Sequence, residues 1–411
     1  MQTKRNIFLW VLYDFANSIV FIVFFLYFAQ WVVIEQRVSD LYFNLTFTVA
    51  ALLLLCTVPI AGVLLDRTVR RIAGLRIATV CTAVFYGLCA LCAVYGVPVP
   101  ALIFFTLGLF AYLFSFTFYT PLLNDIAVPE RRGFISGLGV SANYIGQFSG
   151  LLFALPFANG AIAFFDAPPR AEALLPAVVL FFLLTLPMLF FFHEEKRSAS
   201  GVPMRSLSKL VLEQTKNLLR FRGVAYFFLT YFLFNDAILT ASNNFPIFLE
   251  QVWGISDTVK TYLLLAILVT SAIGGTLAGI IADRVGHKRT LRAILAGWIL
   301  LLPVVGLITN FTLFVISTVL MGFWFGATWA VSRSVMSYVT PPGQHNLAFG
   351  YFGLAERASS FIGPLAWGAI VSGFVSLGSV RYRMAIVAVT VFIIIALFTF
   401  RRVPDERRTV A

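Results

Sequence analysis

The sequence predicts an all-α integral membrane protein of about twelve transmembrane helices, arranged as two pseudo-symmetric six-helix bundles. Three observations predict it. Of the 411 residues, 60% are hydrophobic and only 12% charged, against roughly 25% charged in a soluble domain. About twelve apolar runs are long enough as helices to cross ~30 Å of hydrocarbon, which takes ~20 residues each. A short basic hairpin also recurs: Gly279, Asp283 and Arg284 stand 217 positions after Gly62, Asp66 and Arg67, so the chain reads as two copies of one unit.

The runs fall at 7–33, 41–64, 73–95, 99–122, 134–158, 173–192, 224–249, 259–281, 291–309, 311–338, 347–375 and 382–401. Helices are required because an unpaired backbone group in lipid costs several kcal/mol, and a barrel would show ~10-residue alternating segments instead. The organisation is therefore a first bundle over 1–192, a linker over 193–222 and a second bundle over 223–411. The formal net charge of +12 is a matter of topology and does not imply nucleic acid. With both termini placed inside, 23 Lys and Arg fall at inner segments and five (Arg37, Arg170, Lys260, Arg381, Arg383) at outer loops. The first span is too long for a signal-peptide core and lacks a clear small-residue cleavage site, so it is expected to be retained. Short loops are compatible with a bacterial inner membrane and cytoplasmic termini. Cys56, Cys81, Cys89 and Cys92 all lie within spans and are expected as buried thiols, the Cys89–Cys92 spacing notwithstanding.

Taken in order, the spans carry their polar residues on faces. In span 1, Asp14 lies ~10 Å into the helix, with Asn17 and Ser18 three and four positions on. Such a cluster is either a helix-packing network or lines a polar path. Span 2 ends in the first hairpin, whose Gly62, Asp66 and Arg67 read as an inner anchor or gating latch. Span 4 presents Tyr112, Ser115 and Tyr119 on one stripe. Span 5 holds Ser136, Asn143 and Gln147, and its Gly133, Gly137, Gly146 and Gly150 read as close-packing positions. In the linker, 206–221 has helical spacing and a basic face with Lys209, Lys216 and Arg220, suited to a membrane surface.

Span 7 carries Asn235 and Asp236 followed by Thr240, Asn243 and Asn244, with Asp236 ~18 Å in and the costliest charge of the chain. Span 8 leads into the second hairpin, with Gly279, Asp283, Arg284, Gly286 and Lys288. Span 10 sets Trp324, Thr328 and Ser332 on one face beside Arg333. Span 11 holds Glu356 and Arg357 ~15 Å in; adjacent helical residues diverge by ~100°, so each needs its own partner, and Arg333 is a candidate for Glu356. Polar stripes thus recur on spans 1, 4, 7 and 10, with additions on 5 and 11. This is the pattern expected of four helices lining one path.

These residues resemble a known group. The Gly-x-x-x-Asp-Arg hairpins resemble the signature loop of the major facilitator superfamily, with Val69 standing where the first copy would carry Gly. Tyr13-Asp14-Phe15-Ala16-Asn17-Ser18, Pro129-Glu130, Arg132-Gly133, Ser136 to Gly139, Asn235-Asp236 and Ser332-Arg333-Ser334 resemble its vacuolar-effluxer-like permeases, named for an autophagy-related amino-acid exporter. The resemblance implies two six-helix bundles that rock around a central site and export small solutes. The substrate and ion path would then hold Asp14, Asn17, Tyr119, Asn143, Asn235, Asp236, Thr240, Arg333, Glu356 and Arg357. Phe15, Ala237 and Glu356-Arg357 depart from the group's usual residues, and an added acid at Glu356 bears on substrate charge and ion coupling.

The expectation is a monomeric secondary-active transporter working by alternating access, with a small-molecule substrate and protons as coupling ion through Asp236 or Glu356. A carboxyl in low dielectric can load and release protons near neutral pH. Efflux of lipid-like or drug-like compounds competes with amino-acid export, since aromatic residues make up 16% of the chain. A non-transporting receptor or scaffold and a membrane-embedded enzyme are the readings from other classes. No phosphate-binding loop of the ATPase type occurs, and His193, His287 and His345 are scattered, so neither cofactor nor metal is expected.

Overall fold

The computed structural model describes residues 2–65, 70–126, 132–194, 213, 216–341 and 345–405. All regular structure among them is helical, and the chain divides into two compact units, Met1–Met204 and Arg205–Ala411. The division falls inside the segment read as a linker. Most of the expected linker helix lies outside the described residues; its last turn, 216–220, is helical with Leu218 buried and Lys216 and Arg220 exposed.

The first unit contains α1 (Gln2–Val23), α2 (Asp40–Leu65), α3 (Arg71–Val94), α4 (Pro98–Tyr119), α5 (Arg132–Ala158) and α6 (Leu174–Phe191). The second contains α7 (Arg222–Trp253), α8 (Asp257–Val285), α9 (His287–Leu307), α10 (Phe311–Val339), α11 (His345–Ala358), α12 (Ile362–Gly373) and α13 (Val380–Phe400). The α1 crossing runs on through two π-helical turns, Phe24–Phe28 and Trp31–Glu35. Among the described residues, eleven crossings are long and apolar enough to span a membrane. The twelfth expected run, 347–375, is not one helix: it is interrupted between α11 and α12, and Phe361 leaves helical geometry there (φ −124°, ψ −60°). The sequence of the break explains it. Ser359 and Ser360 favour a helix start, and Pro364 in the first turn of α12 lacks the N–H that would continue α11.

The two units share one pairing scheme. In the first, α1 packs on α5 and α6, α4 on α2 and α3, and α3 on α6. In the second, α7 packs on α11, α12 and α13, α10 on α8 and α9, and α9 on α13. Each pairing of the first unit has its counterpart 217 positions on, which is how the repeated hairpin expresses itself in three dimensions.

Small residues bring the helices together, as expected where dispersion packing replaces a hydrophobic drive. A Cβ at Gly146 would stand 2.3 Å from the Phe15 carbonyl oxygen, and one at Gly150 would meet Ile19 and Ile22 of α1. A Cβ at Gly326 would collide with the Ser271 carbonyl, and one at Gly274 with that of Phe323, which fixes α8 against α10. The packing glycines of α5 are Gly139, Gly146 and Gly150; Gly137, read from spacing as a contact, meets nothing within 4 Å. Gly146→Leu should therefore lower the melting temperature of the detergent-purified protein, in line with the ~1–3 kcal/mol that overpacking costs, while Gly137→Leu leaves it unchanged. Equal shifts in the two variants would refute this assignment.

Candidate functional site

The polar residues of the first unit meet between α1, α4 and α5. Asn143 donates from Nδ2 to Asp14 Oδ1 at 3.5 Å, and Gln147 donates from Nε2 to Asn143 Oδ1 at 2.6 Å. All three are half-buried, and the absence of a side chain at Gly139 leaves room for Asp14. Ser18 turns back onto the Asp14 carbonyl. Asn17 is buried beside Tyr13. Tyr119, expected in the path, is instead a buried strut: its hydroxyl donates to the Trp10 carbonyl at 2.9 Å, Trp10 Nε1 donates to the Tyr119 carbonyl at 3.3 Å, and the two rings stack at 4.8 Å. Aromatic pairs of this kind contribute ~0.5–1.5 kcal/mol beyond area burial.

In the second unit the adjacent pair Asn235-Asp236 sits opposite the break. Asn235 Nδ2 donates to the Glu356 carbonyl at 3.1 Å and to Ser359 Oγ at 2.6 Å, closing the end of α11. Asp236 Oδ1 accepts from the Phe361 N–H at 3.1 Å, while its Oδ2 accepts from Ile362 at 3.1 Å and Gly363 at 2.7 Å. These N–H groups open α12, where a helix has no carbonyl of its own to offer; Phe361 also donates to the Ser359 carbonyl at 2.7 Å, and Pro364 has no N–H. The carboxylate also lies where the helix dipole is positive. Asp236 is 1% exposed, so its charge is buried but fully engaged. A Cβ at Gly363 would stand 2.3 Å from Thr240 Oγ1 and 2.9 Å from Asp236 Oδ1, so only glycine admits this approach. Thr240 Oγ1 is buried without a hydrogen-bond partner among the described residues.

Arg333 and Glu356 do come together: Nη2 to Oε1 is 3.6 Å, with the side chains 50% and 29% exposed. Arg357 is half-buried one position on. This pair is partly exposed within long apolar helices, unlike Asp236. On the same α10 face, Thr328 is held structurally: it accepts from Trp298 Nε1 at 2.8 Å and donates to the Trp324 carbonyl at 2.7 Å.

At the hairpins, Asp66 and Arg67 lie outside the described residues, as does the side-chain environment of Gly62. In the second hairpin Gly286 has φ +105° and makes the one-residue turn between α8 and α9. Asp283 faces His287 at 3.3 Å. Lys288 is buried, donates to the Val403 carbonyl and lies 3.4 Å from Asp405. Gly279 meets nothing within 4 Å, and Arg284 is exposed. At the repeat-equivalent position, Arg71 binds the Pro121 carbonyl and Asp125, while Glu194 accepts the N–H groups of Arg71 and Ile72. The first cation of each third helix thus anchors a neighbouring chain end.

Several polar clusters carry no motif. Glu172 gathers the N–H groups of Phe164, Phe165 and Ala167. Lys260 is buried between Glu250 and Asp257. Both close loops between helices. Their only sequence signal is a charge beside a span end, which the topology rule absorbs without naming a partner.

Two units of paired membrane-crossing helices, with polar residues on their inner faces, define a multi-pass membrane transporter. The family model for the Major Facilitator Superfamily matches residues 15–269 and 227–411, and the chain belongs to that superfamily. It is accordingly an integral membrane transporter and not an enzyme. A multi-drug resistance efflux pump PmrA homolog of Lactococcus lactis is 24% identical over 406 residues, covering 95% of this chain and 93% of the relative. Autophagy-related protein 22 of Candida glabrata is 25% identical over 218 residues, covering 49% of this chain and 38% of its own length. Among solved structures, a bacterial homolog to the human lysosomal transporter Spinster, inward-facing and unoccupied, superposes with TM-score 0.72 at 14% identity over 97% of this chain and 96% of that one. At that identity the likeness shows the fold.

Replacing Asp236 with Asn leaves one acceptor oxygen for three donors. Asp236→Asn should destabilise the protein by ~1–3 kcal/mol, the penalty for buried groups left unpaired, and hydrogen exchange should speed at the Phe361–Gly363 amides. Unchanged exchange there would contradict the capping geometry.

Proposed function

We propose that this transporter exports a small zwitterionic solute of the amino-acid class, coupled to protons, and that Arg333 and Glu356 are its charged contacts. The observation that carries the reading is the exposed pair. An arginine and a glutamate 3.6 Å apart, both partly exposed within apolar helices, offer a cation to a carboxylate and an anion to an ammonium group. The likeness of part of the chain to autophagy-related protein 22 agrees with this class. Arg357, half-buried beside the pair, adds a second cation to the proposed contacts.

Proton coupling goes to Glu356 in preference to Asp236. Both Asp236 oxygens already accept backbone N–H groups, and protonation would remove an acceptor from a buried helix end. Glu356 can exchange its arginine partner for a proton without breaking a cap. Asp14, Asn143 and Gln147 are proposed as a neutral-to-acidic contact contributed by the first unit, and Asn17 and Thr240 as buried hydrogen-bonding groups near the path. The charge asymmetry supports a bacterial plasma membrane with both termini cytoplasmic, and one chain suffices for transport. Efflux of apolar drug-like compounds is the second reading, favoured by the near full-length similarity to the PmrA homolog.

The test is counterflow and gradient-driven uptake of labelled amino acids and lipophilic cations in proteoliposomes. Arg333→Ala should cut amino-acid counterflow by about tenfold or more, as expected when a charged hydrogen-bonding partner is removed. Glu356→Gln should retain counterflow and lose the response to a proton gradient. A Glu356→Gln variant that still accumulates solute with the gradient would sink the coupling reading. Movement of lipophilic cations alone would replace amino acids with the second substrate class.

A further inference from the structure

Two grooves open on the flanks of the units at repeat-equivalent positions. In the first unit, a groove of about 370 Å³ between α2, α3 and α4 is lined by residues including Ala61, Ile77 and Phe110. In the second, one of about 230 Å³ between α8, α9 and α10 includes Ala278, Ile294 and Ala327, each 217 positions later. The shared architecture makes an apolar slot in each half; the difference lies in the lining. The first groove is lined wholly by apolar and small residues, whereas the lining of the second includes Arg289 and Thr290.

Among the basic residues of the second hairpin, His287 faces Asp283, and Lys288 is held by Val403 and Asp405. Arg289 and Arg292, one turn apart and exposed, make no ion pair or hydrogen bond among the described residues. Asp283, at 3.3 Å from His287, is the acid nearest in sequence, and it is committed there. Ile281 and Val285, which line the slot, are exposed, so its open side is apolar. Thr290 turns its hydroxyl to the Gly286 carbonyl, leaving Arg289 as the polar group free to receive a ligand.

We propose that the α8–α9–α10 groove binds an anionic phospholipid, with one acyl chain along Ala278, Ile281, Ala293 and Phe323 and the phosphate on Arg289. The occupant follows from charge complementarity and setting: an exposed arginine in the lining of an apolar slot, without an ion pair among the described residues and on helices that cross a membrane, meets anionic headgroups in the adjoining leaflet. The first-unit groove lacks the cation and takes acyl chains without headgroup preference. This goes beyond the transport reading and stands whatever solute is carried.

Native mass spectrometry of the full chain, titrated with phosphatidylglycerol or phosphatidylcholine of matched acyl length, tests it. The wild type should retain phosphatidylglycerol preferentially. Arg289→Ala should lower that retention by about fivefold, the effect of one basic residue near an anionic surface, to the phosphatidylcholine level. Ala293→Phe, at an exposed lining position, should weaken both lipids, and Arg284→Ala, on the same hairpin but off the groove, should change neither. Unaltered phosphatidylglycerol retention in Arg289→Ala, or an equal loss in Arg284→Ala, would overturn the site in favour of no binding or diffuse charge attraction.

Discussion

Inside a bilayer a backbone N–H has no water to fall back on, and each one left unpaired costs several kcal/mol. The second unit depends on how this constraint is met at residues 359–363. The interruption exposes carbonyls at the end of α11 and N–H groups at the start of α12. Asn235 and Asp236, neighbours on one helix and pointing in directions ~100° apart, attend to one side each. The amide, which can donate, serves the carbonyl end, and the carboxylate, which can only accept, serves the amino end. Swapping the two residue types would set an acceptor against the carbonyl end and leave one acceptor oxygen in place of two at the amino end.

The repeat preserves helix pairing while the chemistry of the halves diverges. In the first unit the span packed on α1 is the unbroken α5, and Gly146 brings it against the Phe15 carbonyl. The repeat partner of Gly146 is Gly363, which allows the same close approach but to a carboxylate. Asp14 and Asp236 are not repeat partners, for 217 residues separate Asp14 from Tyr231. Each half has placed its acid at its own depth, and the two acids do different things: Asp14 remains half-buried beside amides, and Asp236 is spent on the backbone.

Much of this was legible in the sequence. Apolar runs of ~20 residues have one viable fold in lipid, so the crossings and their order follow from composition and length. The Arg333–Glu356 contact followed from the need of each charge within a span for a separate partner. Asp236 was legible as exceptional but not as a cap, because its donors lie 125 to 127 positions away and are backbone groups, which leave no residue-type signature. The break itself had a signal in Ser359-Ser360 followed by Gly363-Pro364, and an uninterrupted hydropathy profile hid it. Tyr119 misled for a related reason: a polar stripe on a helix face does not distinguish a hydroxyl that meets solute from one that meets a tryptophan carbonyl.

The same cap has a consequence for how the protein is made. Asp236 leaves the ribosome about 125 residues ahead of Phe361, and at ~5–20 residues per second that interval is roughly 6–25 s. For that time α7 must be accommodated with an acid whose eventual donors do not yet exist. Biogenesis therefore favours holding α7 at a wet protein or headgroup boundary, and its final depth is set only when the last pair of crossings arrives.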